Sequence, residues 1–258
     1  MIFLVTPTGA RLAQFNLCTR WMKRQTYKGE VVWIIVDDAS PRTTEGVKPD
    51  FRAGWTVVKI FPTPTWRPGK NTQARNIKAA TDYIKENYTR EQVEAIFIIE
   101  DDDYYTPAYL DEMMKRFNGY DAIGEIRTIY YNVVYRRFIA NANTVHSSLF
   151  QTAISYDGIA ALEQSLGDRF IDARFWKIVK NKYLFQAGNL SIGIKGMAGR
   201  TGIGAGHQKA YSMNDDRRLT YLTKLIGQED AKIYGEYHRN RYRDNSQLRR
   251  PLFVKKRR

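Results

Sequence analysis

The chain of 258 residues contains a single cysteine, Cys18. This excludes a protein held together by internal disulfides and a protein held together by a zinc site made of cysteines. One thiol forms no internal disulfide and builds no zinc site made of cysteines. The sequence also lacks a run of about 18 apolar residues, the length that a membrane-spanning helix requires. Its opening apolar run, residues 1–5, is too short for the core of a secretory signal peptide. We therefore expect a soluble, cytoplasmic protein with no integral membrane segment.

Acidic residues are scarce relative to basic ones. The chain has 41 Lys and Arg residues against 27 Asp and Glu residues, a net charge of +14. The stretch 217–258 holds 13 of the basic residues and 4 of the acidic ones, and so carries nine of these charges. This excess indicates a polyanionic partner, such as a nucleic acid, an acidic membrane surface or a phosphorylated ligand. Charge alone does not distinguish among the three.

Strand-like and helical patterns alternate over the first 120 residues. Four continuous apolar runs rich in β-branched residues predict buried strands, at 1–5, 30–38, 55–61 and 94–102. Apolar residues at helical spacing predict helices at 10–25 and 72–87. This alternation is typical of a three-layer α/β domain with a parallel sheet.

The second half of the chain has a different pattern. Long aromatic and β-branched stretches from residue 120 predict antiparallel strands of a mixed sheet. Two helices are predicted next, at about 158–166 and 168–180. The stretch 188–208 holds seven of the 18 glycines and predicts a strand followed by a loop. Beyond residue 214 the chain is charged and amphipathic.

Four consecutive acids, Glu100 to Asp103, end the fourth predicted strand. Adjacent carboxylates repel one another unless a cation lies among them. Alternate side chains of an extended strand share a face, which would bring Glu100 and Asp102 together. Carboxylate pairs of this kind suit Mg²⁺ or Mn²⁺. Helix capping is the alternative, because Thr106 and Pro107 indicate the start of a helix.

Four short stretches follow one another along the chain: the early Pro-Thr-Gly, VDDAS at 36–40, GKNTQARN at 69–76 and EDDDYYTP at 100–107. In this order they resemble motifs of nucleotide-sugar glycosyltransferases with the GT-A fold, particularly the inverting enzymes of family 2. The resemblance covers about residues 1–210. It implies a Rossmann-like three-layer α/β/α fold with a mixed central sheet and a nucleotide-sugar donor, with UDP the expected nucleotide.

The same resemblance divides the chain into functional parts. Residues 1–213 correspond to the glycosyltransferase domain, of which 1–120 would bind the nucleotide-sugar and 121–213 the acceptor. Residues 214–258 form a basic C-terminal helical extension in this interpretation.

Individual roles also follow from the resemblance. Asp102 matches the acid that binds Mn²⁺ or Mg²⁺, and His207 is a candidate for a further metal ligand. Residues expected to contact the donor are Thr6, Pro7, Thr8, Asp37, Asp38, Lys70, Arg75, Glu100, Asp101 and Arg200.

An inverting transfer also needs a base that takes the proton of the acceptor hydroxyl. The family places this acid at a helix start, in a pattern like Asp-x-x-Leu-x-x-Arg. Asp168 matches the first position of that pattern, and Asp172 is the reserve candidate. The alternative role for Asp168 is that of an ordinary helix cap.

The acceptor is suggested by the tail, where cations alternate with aromatic and polar residues over 237–258. Such a segment suits a phosphate backbone. Small size and a basic tail resemble bacteriophage enzymes that glycosylate hydroxymethyl-pyrimidine bases in DNA, which would act in the host cytoplasm. One alternative is a peripheral glycosyltransferase for a lipid-linked or surface glycan. Another is a metal-dependent nuclease. The sequence leaves the oligomeric state open.

Overall fold

The computed structural model of the chain describes residues 1–48, 50–68, 70–188, 190–197 and 214–236. The first half alternates strands and helices, as its pattern predicts. Its elements are β1 (Ile2–Thr8), α1 (Leu12–Lys23), β2 (Val31–Asp37), β3 (Trp55–Ile60), α2 (Gln73–Asn87) and β4 (Ala95–Ile98).

The second half contains shorter strands and helices. They are β5 (Tyr104–Tyr105), α3 (Tyr109–Met114), β6 (Ala122–Glu125), β7 (Thr128–Asn132), β8 (Arg137–Ala142), β9 (Thr152–Ile154), α4 (Gly158–Ser165), α5 (Ile171–Ile178), β10 (Lys182–Phe185), β11 (Ser191–Lys195), β12 (Asn214–Asp215) and α6 (Thr220–Ile226). Residues 228–236 are also helical.

The described strands form two sheets. The larger has seven strands in the order β10-β6-β9-β4-β1-β2-β3. Strands β4, β1, β2 and β3 pair in parallel with one another, whereas β9 runs antiparallel to both of its neighbours, β4 and β6. The smaller sheet has five strands in the order β12-β8-β7-β11-β5. The mixed pairing expected after residue 120 is confirmed.

Helices cover both faces of the large sheet because its central strands are apolar on both sides. In β1, Ile2 and Leu4 pack with Trp21 of α1 in one hydrophobic cluster. Phe3 and Val5 point the opposite way, into a cluster with residues of α2. This alternation in a fully buried strand produces the three layers.

The segment 214–236 belongs to the same core. Its apolar side chains Leu222, Ile226 and Tyr234 are buried in the cluster that contains Trp21. The carboxylate of Asp216 accepts hydrogen bonds from the amides of Tyr221 and Leu222 in the first turn of α6 and from the hydroxyl of Tyr131. Among the described helices, none is both long and apolar enough to cross a membrane.

Two predicted boundaries are wrong at places that matter for function. Strand β4 ends at Ile98, so the acids lie beyond the strand. Helix α5 begins at Ile171 with Phe170 as its N-cap, so Asp168 lies in the preceding loop and does not cap the helix.

Candidate active site

The four acids form a turn at the carboxyl end of β4. The amide of Asp103 donates to the carbonyl of Glu100 at 3.3 Å, which closes the turn. Because the chain turns here, the expected alternation of side chains does not apply. One oxygen from each of Glu100, Asp102 and Asp103 lies within 4.8 Å of the others. We call these three residues the carboxylate cluster.

Asp101 is not part of that cluster and is fully buried. Its carboxylate accepts a hydrogen bond from Thr8 Oγ1 at 2.6 Å and forms an ion pair with Arg11. Burial raises the pKa of Asp101 to about 6, against the lowering effect of Arg11. Thr8 and Asp101, both predicted to contact the nucleotide-sugar, thus contact each other.

Two cations accompany the acids. Arg11, which precedes α1, pairs with Asp101 and also contacts Asp102 Oδ2 at 3.3 Å. Lys195, the last residue of β11, lies 2.8 Å from Asp103 Oδ1. Burial lowers the pKa of Lys195, but the nearby carboxylates, Asp103 foremost, raise it further, so the ammonium stays charged.

Sequence reasoning missed both cations and the place of Asp103 in the cluster. Repulsion among four adjacent acids does predict a cation nearby. However, Lys195 is 92 residues from Asp103, and only the fold brings the two together. Arg11 directly follows the Pro-Thr-Gly-Ala stretch, so its position at the end of β1 was the available signal.

The carboxylate cluster fits a hard divalent cation. It offers only carboxylate oxygens, the ligands that Mg²⁺ and Mn²⁺ prefer. Asp103 Oδ2 is buried and has no hydrogen-bond partner among the described residues. Arg11 and Lys195 compensate two of the four acidic charges, so two negative charges remain for a divalent ion.

The ends of β1 and β2 lie side by side next to the acid turn, with Thr8 paired to Asp37 in register. Thr6 Oγ1 accepts a hydrogen bond from the Trp33 indole at 2.9 Å and is fully buried. Pro7 is buried within β1. The side chain of Thr6 therefore stabilises the sheet.

Asp37 and Asp38 fix the loops that follow β2. The carboxylate of Asp37 accepts hydrogen bonds from the amides of Ala39 at 3.0 Å and Thr44 at 2.9 Å. Asp38 Oδ2 accepts hydrogen bonds from Arg75 Nη2 and Asn76 Nδ2, both at 2.9 Å. The predicted residues Asp38 and Arg75 are thus in contact, and they join β2 to the start of α2.

The start of α2 also reaches the carboxylate cluster. Gln73, its first residue, donates from Nε2 to Glu100 Oε1 at 2.7 Å. The sequence prediction did not single out Gln73, although it lies in the quoted GKNTQARN stretch. Lys70 is exposed in the loop before the helix.

The two candidate bases differ in position. Asp168 is exposed and lies 3.8 Å from Arg174 in an ion pair. Asp172 is half-buried in the first turn of α5. Burial raises the pKa of Glu100, and the charges of Asp102 and Asp172 add to this rise. Asp172 therefore lies within electrostatic range of Glu100.

Two predicted site residues, Arg200 and His207, lie outside the described residues, as does the basic tail from residue 237.

Neither a family model nor a curated protein matches this sequence. Solved structures do match the fold. A crystal structure of residues 1–349 of TarS from S. aureus in complex with UDP has a TM-score of 0.52 at 10% sequence identity. The match covers 75% of this chain and 60% of that one. A second crystal structure of the same TarS fragment has a TM-score of 0.51 at 11% identity, with the same coverage.

The chain therefore spans 60% of the length of these TarS structures. The match and the mixed central sheet confirm the predicted fold class. This is a GT-A-like α/β fold.

Proposed function

We propose that the protein is a metal-dependent, inverting glycosyltransferase that moves a sugar from a UDP-sugar to a hydroxyl group. The observation that carries the proposal is the carboxylate cluster at the carboxyl end of β4 in a GT-A-like fold. In open α/β sheets, ligands bind outside the carboxyl ends of the strands. TarS, which has the same fold, was crystallised with UDP.

The residues of the site have three proposed roles: metal binding, support of the acid turn and binding of the nucleoside. Glu100, Asp102 and Asp103 would hold Mn²⁺ or Mg²⁺, which stabilises the charge that develops on a leaving diphosphate. Thr8 and Arg11 hold Asp101 and so keep the turn in place. Asp37, Asp38 and Arg75 would shape the nucleoside end of the site, with Lys70 in the adjoining loop.

Asp172 is the better candidate for the base. The base must accept the proton of the acceptor hydroxyl near the metal-bound diphosphate. Asp172 is half-buried and lies within electrostatic range of Glu100 of the cluster, whereas Asp168 is exposed and pairs with Arg174. We therefore assign proton acceptance to Asp172 and not to Asp168, the first match of the sequence pattern.

We further propose that the acceptor is DNA that carries a hydroxymethyl-pyrimidine base. The support is the charge of +14, nine units of which fall in 217–258. A basic, aromatic segment of this kind binds phosphate backbones with strong salt dependence. A target base in a duplex would have to be extruded from the stack. Arg200 and His207 remain proposed contacts to the diphosphate and the metal.

The test is incubation with Mn²⁺, a panel of nucleotide-sugars and three acceptors, followed by mass spectrometry. The acceptors are hydroxymethylated DNA, matched unmodified DNA and anionic vesicles with a lipid-linked glycan. A sugar mass added only to the hydroxymethylated DNA is expected, with loss in the Asp102→Ala variant or with chelator. Sugar on the glycan would refute the DNA acceptor. Cut DNA without sugar transfer would refute the transferase.

A further inference from the structure

A buried ion pair connects the acid turn to β11. Asp103 Oδ1 accepts two hydrogen bonds from this strand: Lys195 Nζ at 2.8 Å and the amide of Ile194 at 2.9 Å. The other oxygen, Oδ2, is buried without a hydrogen-bond partner among residues that the structure describes. Both donors thus act on the same oxygen, which fixes the orientation of the carboxylate.

The ammonium of Lys195 has little freedom. Its side chain is 7% exposed. The nitrogen lies 5.8 Å from the ring centroid of Tyr130 and 5.6 Å from that of Phe150, within the range of cation–π attraction. Two rings and a carboxylate therefore hold the charge in one place.

We propose that Lys195 is a positioning residue that holds Asp103 as the third carboxylate ligand of a divalent cation and thereby strengthens cation binding. This inference rests on the proposed function, because it assigns a cation to the carboxylate cluster. Groups that orient metal ligands typically contribute a factor of about 10 to 100 in metal affinity.

A purely electrostatic role would have the opposite sign. A fixed positive charge beside the cluster repels a second cation, so its removal alone would tighten metal binding. Positioning predicts weaker binding after the same change. The direction of the change in affinity therefore separates the two roles.

The test is calorimetric titration of the full chain with Mn²⁺ alone, without donor or acceptor. Lys195→Met is expected to weaken Mn²⁺ binding about 10- to 100-fold. The matched control is Lys85→Met. Lys85 Nζ lies 2.7 Å from Glu163 Oε1 in an exposed ion pair away from the cluster. That control is expected to bind Mn²⁺ as the wild type does. Unchanged or tighter binding by a folded Lys195→Met variant overturns the proposal.

A second variant covers the case in which Lys195→Met fails to fold. Asp103→Asn keeps an Oδ1 atom for Lys195 and Ile194 but replaces Oδ2 with an amide nitrogen. It is also expected to lose Mn²⁺ affinity, and wild-type affinity would refute Asp103 as a ligand. If the wild type itself binds no Mn²⁺, the proposed function fails together with this inference. If the wild type binds Mn²⁺ and both variants bind it equally well, only this inference fails.

Discussion

The hydroxyl of Tyr104 donates to Asp230, 126 residues further along the chain, at 3.2 Å. Tyr104 follows the acid turn directly, and Asp230 lies in the helical stretch 228–236. Asp230 also pairs with Arg24 at 2.6 Å, and Trp21 packs edge-on against Tyr104. The C-terminal helical stretch and α1 therefore stabilise the strand that leaves the acid turn.

Tyr104→Phe tests this contact. The variant loses one hydrogen bond, while Asp230 keeps its ion pair with Arg24. We expect the free energy of unfolding to fall by about 1 kcal/mol in urea denaturation. Mn²⁺ affinity should stay the same because the carboxylate cluster is untouched.

Tyr105→Phe is the matched comparison, since the hydroxyl of Tyr105 accepts a hydrogen bond from the amide of Glu100 at 2.9 Å. Its loss leaves that amide in the acid turn without its acceptor, at a cost of about 1–3 kcal/mol. We expect weaker Mn²⁺ binding in calorimetry as well as lower stability. Equal Mn²⁺ affinity in both variants would show that Tyr105 does not fix the turn.

Arg11→Met removes a cation from beside a fully buried carboxylate. Asp101 would keep only its hydrogen bond from Thr8. Breaking a buried ion pair from one side costs about 3–5 kcal/mol. We expect a loss of this size in chemical denaturation. Arg137→Met, which breaks a more exposed pair with Asp215, should cost about 1 kcal/mol or less. Similar losses in both variants would contradict the importance of the Arg11 pair.

Local patterns predicted the framework well. The helix expected at 72–87 is observed as Gln73–Asn87, because its apolar residues recur at helical spacing and pack on the sheet. Strands β1 and β2 were predictable because every residue in them is buried. The two Asp residues at the end of β2 were correctly placed at the sheet edge.

The acid turn was not predictable in the same way. Continuous strand pattern through residue 102 suggested an extended chain, yet β4 ends at Ile98. A turn brings Asp101 to Arg11 and Asp103 to Lys195, which offsets the repulsion of adjacent carboxylates. Arg11 comes from the segment between β1 and α1, and Lys195 comes from β11, so their contribution depends on the tertiary fold.

Gly196→Ala should destabilise the chain just after Lys195. Gly196 has φ of +86°, and a Cβ there would lie 2.6 Å from Asn132 Oδ1. The left-handed backbone alone costs about 1–2 kcal/mol for a non-glycine residue. We expect at least this loss in urea denaturation. At Gly167 a Cβ meets nothing within 4 Å, so Gly167→Ala should leave the stability nearly unchanged.

Asp172→Asn and Asp168→Asn separate the two candidate bases. Asp172 lies in the first turn of α5, within electrostatic range of Glu100, so its amide variant should lose about 10²- to 10⁴-fold in transfer rate. Donor affinity, measured by calorimetry with UDP and Mn²⁺, should remain, because Asp172 is outside the carboxylate cluster. Asp168→Asn should transfer at nearly the wild-type rate, since Asp168 is exposed and paired with Arg174. The reverse order of rates would return the base to Asp168 and would require the loop before α5 to approach the donor.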